Sequence, residues 1–224
     1  MSDERPLNPL AAMTLVLVFP RRTFERLTRR PHWVLPLVFV VGASLVSAAF
    51  AVRSGYMDEF LADQASMSGT SLEDARAAFL GAGVVMALVA VPLVMLLEAL
   101  LYRLAGMGAG GRTTFRVAFS TVAHASIPVG IGSLVVACLL PFTGTARAGA
   151  NLAFLVDPVR HDSLWSLARQ IDLFSVWFFV LLGIAAEPVF GLPRGRARLA
   201  AVAFAVAYVL IMSWSGQGTL GPGR

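Results

Sequence analysis

The stretch "QIDLFSVWFFVLLGIAAEP", residues 170–188, decides the fold, because its meaning depends on the solvent around it. Fourteen residues separate Asp172 from Glu187, and twelve of them are apolar, Ser175 and Gly183 being the exceptions. Stopped at Ala186, such a helix would be only roughly 21 Å long at 1.5 Å per residue. A bilayer's hydrocarbon core is about 30 Å thick and asks for about 20 apolar residues. The segment reaches that length only by continuing through Glu187 and Pro188 to about Leu192, which puts Glu187 in or just below the headgroups. Asp172 has simpler physics: an acid in a helix's first turn meets unpaired N–H groups and roughly half a positive charge. It is expected to cap the helix at the outer interface.

The whole chain supports a membrane reading. Of its 224 residues 57% are hydrophobic and 14% charged, whereas soluble domains carry about 45–50% and about 25%. All eighteen basic residues are arginine, and with the alanine richness this usage points to a high-GC bacterial source. A pI near 10.6 could signal nucleic acid, but the arginines gather at the ends of apolar blocks, so topology explains them and no nucleic-acid partner is expected. The single cysteine, Cys138, lies in an apolar run and allows neither an internal disulfide nor a multi-cysteine metal site. The first residues include Asp3 and Glu4, and the short apolar run Leu10–Val18 is followed by Arg21 and Arg22. That order does not resemble a signal peptide.

Five spans are predicted, at about 33–52, 77–101, 117–142, 173–192 and 199–215, within one membrane domain covering 33–216. They give an all-α polytopic bundle. Residues 1–32 form an N-terminal segment before it, apolar at first, then basic and amphipathic with Phe24 and Leu27 on one side. Such a segment can lie on an anionic leaflet. Residues 217–224 form a short tail. Twelve arginines fall on one side of the five-span model and six on the other. The basic-rich flanks are 1–32, the turn with Arg103, Arg112 and Arg116, and the turn with Arg194, Arg196 and Arg198. By the positive-inside rule the N-terminus is cytoplasmic and the C-terminus outside. Trp33 and Tyr102 are expected as inner interfacial anchors, Tyr56 and Trp214 as outer ones. Residues 57–76 read as helical, with Ser71 and Asp74 forming a capping box, and 162–171 as an amphipathic lead-in.

Few motifs carry chemistry. "GMGAGG", 106–111, matches G-x-G-x-x-G by letter, but a dinucleotide fingerprint needs a strand before it; a tight turn is expected. His32, His124 and His161 are far apart in sequence and in predicted depth, so neither a metal nor another cofactor is expected. No serine-nucleophile elbow is present, and no catalytic residue is assigned. The intramembrane polar candidates are Glu98, His124 and Glu187, since a charge in lipid costs about 2.5–3.5 kcal/mol. Glu98 and Glu187 fall at similar shallow depth near Arg103, Arg116 and Arg194, where interfacial salt bridges are the plainer reading and an ion site the sharper one. For His124, with Ser120 and Pro128 one turn either side, a helix–helix hydrogen bond is the plainer reading. Pro92, Pro128, Gly130 and Gly132 could kink or closely pack spans.

Three passages resemble the bacterial branch of the Yip (Ypt/Rab-interacting protein) domain family. "VFPRRTFERLTRRPHWVLPL" (19–38) carries Pro20, Phe24, Pro31 and Trp33, "LYRLAGMGAGGRTTFRVAFSTVAHASIP" (101–128) ends on Pro128, and "IDLFSVWFFVLLGIA" (171–185) presents Asp172, Leu173, Phe174 and Trp177. The likeness runs from about residue 10 to 212. It implies a helical integral membrane protein of a family whose eukaryotic members bind Rab-type GTPases and partner membrane proteins. Bacteria lack that traffic, so the Rab role is not carried over, and the family offers no catalytic residues to transfer. Glu187-Pro188 departs from its usual run of small apolar residues. The expected protein is a non-enzymatic scaffold or membrane-organising adaptor of the bacterial inner membrane, meeting other membrane proteins or anionic lipid at its cytoplasmic face, with homo-oligomerisation left open. The alternative is a small transporter or channel using Glu98, His124 and Glu187.

Overall fold

The computed structural model describes residues 8–55, 57–143 and 172–217, with the backbone alone for 140–143 and 212–217. The regular structure of these residues is helical. The lead-in at 162–171, His161, Tyr56 and the side chain of Trp214 lie outside the description.

Helices α1 (Pro9–Val18) and α2 (Pro20–Arg29) divide the N-terminal segment. Asn8 caps α1 by accepting from the N–H of Leu10. Pro20 lacks an N–H and cannot continue α1, but its fixed φ suits the first position of α2. Helix α3 (Val34–Arg53) is followed by α4 (Asp58–Ser68), Gly69 in the left-handed conformation, and the Ser71–Asp74 capping box that opens α5 (Leu72–Val85). From α5 the chain passes without a break through a π-turn, Met86–Ala90, into α6 (Val91–Gly108). Pro92 accounts for the π-turn: its ring would clash with the carbonyl one turn back, and the widened turn makes room.

Helices α7 (Phe115–Ala125) and α8 (Ile127–Thr143) follow one another with a single turn residue, Ser126, between them, and together they make up the span expected over 117–142. The regular helix is interrupted at Ser126 because Pro128 has no N–H to donate to the His124 carbonyl and its ring crowds that carbonyl. Helix α9 (Leu173–Phe190) is the opening stretch. Asp172 accepts from the N–H groups of Phe174 and Ser175 and from the Ser175 hydroxyl, so it is the cap its position implied. Helix α10 (Arg194–Gln217) closes the set.

Among the described residues four helical runs are long and apolar enough to cross a membrane: Val34–Arg53, Leu72–Gly108, Phe115–Leu139 and Leu173–Phe190. The second run starts five residues before the predicted span because the capping box starts the helix there.

The chain sorts into two compact units. One comprises residues 1–36, 95–125 and 176–224. In it α1 and α2 pack against each other and against α7. Thr23, Phe24 and Leu27 are buried, while Arg21, Arg22, Arg26, Arg29 and Arg30 face outward. The amphipathic segment therefore spends its apolar stripe on the protein. The surface it leaves for lipid is on α1 and the α1–α2 corner, where Leu10, Val18 and Phe19 stay 64%, 66% and 54% exposed. The core of this unit is aromatic, with Tyr102, Phe178 and Phe204 all buried and Phe179 and Tyr208 in ring contact with them.

The second unit comprises residues 37–94 and 126–175. Its helices approach closely at glycines: a Cβ on Gly130 would lie 2.8 Å from the Phe39 ring, and one on Gly132 only 2.4 Å from Phe174. The Ser47 hydroxyl donates to the Ser133 carbonyl at 3.0 Å. Arg76 clamps Asp58 through two hydrogen bonds of 3.0 and 2.6 Å, tying α5 to α4.

Candidate functional site: an arginine-rich helix-end cluster and a histidine pair

Two polar regions stand out in the first unit. The first is built on Glu187, in the last turn of α9. Its carboxylate accepts from Arg21 of α2 at 2.7 Å and lies 3.6 Å from the Arg194 guanidinium at the start of α10. Arg21 also pairs with Glu25 one turn on, at 3.1 Å. The Glu25 hydrogen bond, then the Glu187 charge, raise the Arg21 pKa above its ordinary value. Length placed Glu187 near a headgroup region and Arg194 beside it; Arg21 was not foreseen, because only the fold brings residue 21 to residue 187.

The glycine turn joins the same end of the unit. Gly106 is still helical, in the last turn of α6, and a Cβ there would stand 2.3 Å from the Phe190 ring. One on Gly111 would stand 2.6 Å from the Phe190 Cβ. These glycines exist to let Phe190 in, and no strand precedes them. The Arg112 N–H donates to the Phe190 carbonyl at 3.2 Å, Arg103 donates to the Thr113 carbonyl at 3.2 Å, and the Arg196 guanidinium lies over Gly110. Arg116 and Arg198 are exposed. The α2 segment, the 109–116 turn and the start of α10 thus converge on the C-terminal end of α9.

Tyr102 corrects an expectation here. It is no interfacial anchor: it is fully buried, its hydroxyl donates to the Leu182 carbonyl at 2.8 Å, and its ring packs on Phe190 and Phe204. A position near a span's end fixes depth but not which way the side chain faces, and here it faces the protein.

The second region is the pair His32–His124, with His124 fully buried and His32 partly so. Their ring centroids are 4.9 Å apart, edge to face, so two histidines that the sequence kept far apart are neighbours. The helix–helix hydrogen bond expected of His124 is not what forms. Its Nδ1–H donates to the Ser120 carbonyl of its own helix at 2.8 Å, and it is the Ser120 hydroxyl that reaches out, to the His32 carbonyl at 2.7 Å. Nδ1 of His32 and Nε2 of His124 are buried with no hydrogen-bond partner. Burial holds the His32 imidazole below its ordinary pKa, since desolvation disfavours the cation. Trp33 packs edge-on against Phe119 beside them.

Glu98 also departs from expectation. It is 7% exposed and has no ion pair or hydrogen bond to any described residue, so it is not the interfacial salt bridge its depth suggested. It sits one turn before Tyr102 on the inward stripe of α6, which carries it into the protein and away from the arginines. No hydrogen bond or ion pair joins Glu98, His124 and Glu187 to one another.

The family model of the Yip1 domain matches residues 14–216. Over 204 residues the chain is 24% identical to "Membrane protein YknW" of Bacillus subtilis (strain 168), covering 90% of this chain and 88% of that one. No solved structure matches.

Proposed function

Because the chain belongs to the Yip1 domain family, as a membrane protein with several apolar helices, we propose that it is a non-enzymatic adaptor of the bacterial inner membrane, with its arginine-rich face on the cytoplasmic side. The observation that carries this is the convergence just described: three basic segments, separate in sequence, are tied to the end of α9 by Arg21–Glu187–Arg194 and by the Arg112 N–H bond to Phe190. A fixed basic surface recruits and orients acidic partners through its field. In this reading α10 is the fifth span, with its apolar part from Leu199 onward crossing outward, and the positive-inside imbalance sets the N-terminus in the cytoplasm. The test is crosslinking in intact membranes followed by purification in mild detergent. A protein partner should co-purify and be lost when Arg22 and Arg26, both exposed on α2, are changed to Glu. A chain that repeatedly emerges without protein partners counts against the adaptor.

One observation favours the second reading, a small transporter or channel: the buried Glu98 has no partner among the described residues, and Nδ1 of His32 and Nε2 of His124 are buried ring nitrogens without one, which in a membrane protein marks candidate ion pathways. Liposome flux compared between wild type and Glu98→Gln separates the two, and no flux across a broad ion panel ends the transport idea.

A further inference from the structure

We propose that the cleft between α9 and α10 is a headgroup site for an anionic phospholipid, with the phosphate held by Arg198 alongside Arg21 and Arg194 and the acyl chains lying on α9. The proposal rests on the membrane placement of α9 and α10 given above and names a ligand for their shared end. The cleft encloses ≈ 290 Å³, and three guanidinium groups but only one carboxylate line it. Glu187 engages Arg21 and Arg194. Arg198 makes no ion pair with any described residue and is exposed. The cleft therefore keeps a positive excess and an unengaged planar donor, and guanidinium forks match phosphate oxygens. The unpaired N–H groups at the start of α10 add positive potential at the same end.

The lining also decides which anion. Away from the rim it turns apolar, with Val180 and Ile184. Val176, Val180 and Ile184 recur every four residues, so they form one stripe leading to the turn of Glu187. Val176 and Val180 remain 45% and 51% exposed. A free phosphate or an acidic peptide would meet the arginines but gain nothing from the apolar face that continues from them along the span. A phospholipid uses both, with its charge at the helix ends and its chains along the stripe.

The test uses the full chain in a neutral maltoside detergent, titrated separately with phosphatidylglycerol, phosphatidylcholine and inorganic phosphate, read by native mass spectrometry and thermal stability. Phosphatidylglycerol should bind and raise the Tm, while the other two should do neither. Arg198→Gln should weaken phosphatidylglycerol about fivefold, and Arg29→Gln, outside the cleft, should leave it unchanged. Equal retention of phosphatidylcholine, an equal response to inorganic phosphate, or wild-type affinity in the Arg198→Gln protein would overturn the site. Loss of lipid selectivity with the protein partner still captured removes only the lipid site; selective lipid binding without any protein partner removes only the adaptor.

Discussion

Glu98 and Glu187 look alike in the sequence: each is a lone carboxylate near the end of an apolar run and at similar depth. The structure treats them differently. Glu187 is on the rim of its unit, where two arginines meet it and water or headgroups can reach it. Glu98 lies on the inward stripe of α6, just before the tight joint of Tyr102, Gly106 and Phe190. The lesson is that depth and lateral facing are separate variables. Packing at the Tyr102–Gly106–Phe190 joint beyond Glu98 is tight and admits few changes, whereas the cluster around Glu187 consists of long side chains that can rearrange.

That contrast orders the expected effects of mutation. The largest is at the joint. Gly106→Val puts branched carbon where the Phe190 ring already lies, so unfolding in detergent should show a loss of about 3 kcal/mol. A loss below about 0.5 kcal/mol would mean that the joint is loose and the contrast false. Next comes Tyr102→Phe, which keeps the ring but removes a buried hydrogen bond. A loss of about 1 kcal/mol is expected in the same assay.

Arg21→Ala should cost less than either, since exposed ion pairs hold little stability. Its signature is a dependence on ionic strength: the difference from wild type should shrink at high salt. A salt-independent loss would show that Arg21 acts by packing. The smallest effect is expected from His32, a partly buried group. Its folded pKa lies below the unfolded one, so the unfolded chain binds more protons between the two values. Stability should therefore be full above the ordinary histidine range and decline as pH falls through it. His32→Gln should flatten that decline in a Tm-against-pH series, and an unchanged slope would assign the titration elsewhere.

How much of this was legible in the sequence follows the same division. Four of the five expected spans, the Ser71–Asp74 box and the Asp172 cap were readable because each depends on neighbours within a turn or on the length of an apolar run. The span across α7 and α8 was readable as one apolar run, and Pro128 marked where its helix is interrupted. The pairings Arg21–Glu187, Tyr102–Leu182 and His32–His124 were not readable. Each joins helices distant in the chain, and an apolar helix in lipid carries little polar-versus-apolar contrast to reveal its inward face. With a soluble helix the hydrophobic stripe would have given that face away; here small residues such as Gly106 and Gly111 were the surviving signal, and they read first as a flexible turn.

The central claim is that the converging arginines face the cytoplasm. Single-cysteine scanning tests it directly, in a Cys138→Ser background with Arg22→Cys, Arg116→Cys or Arg196→Cys, probed by a membrane-impermeant maleimide. All three positions should stay unlabelled in intact right-side-out cells and become labelled in inverted vesicles. Labelling of any of the three from outside would contradict the orientation and, with it, the cytoplasmic adaptor.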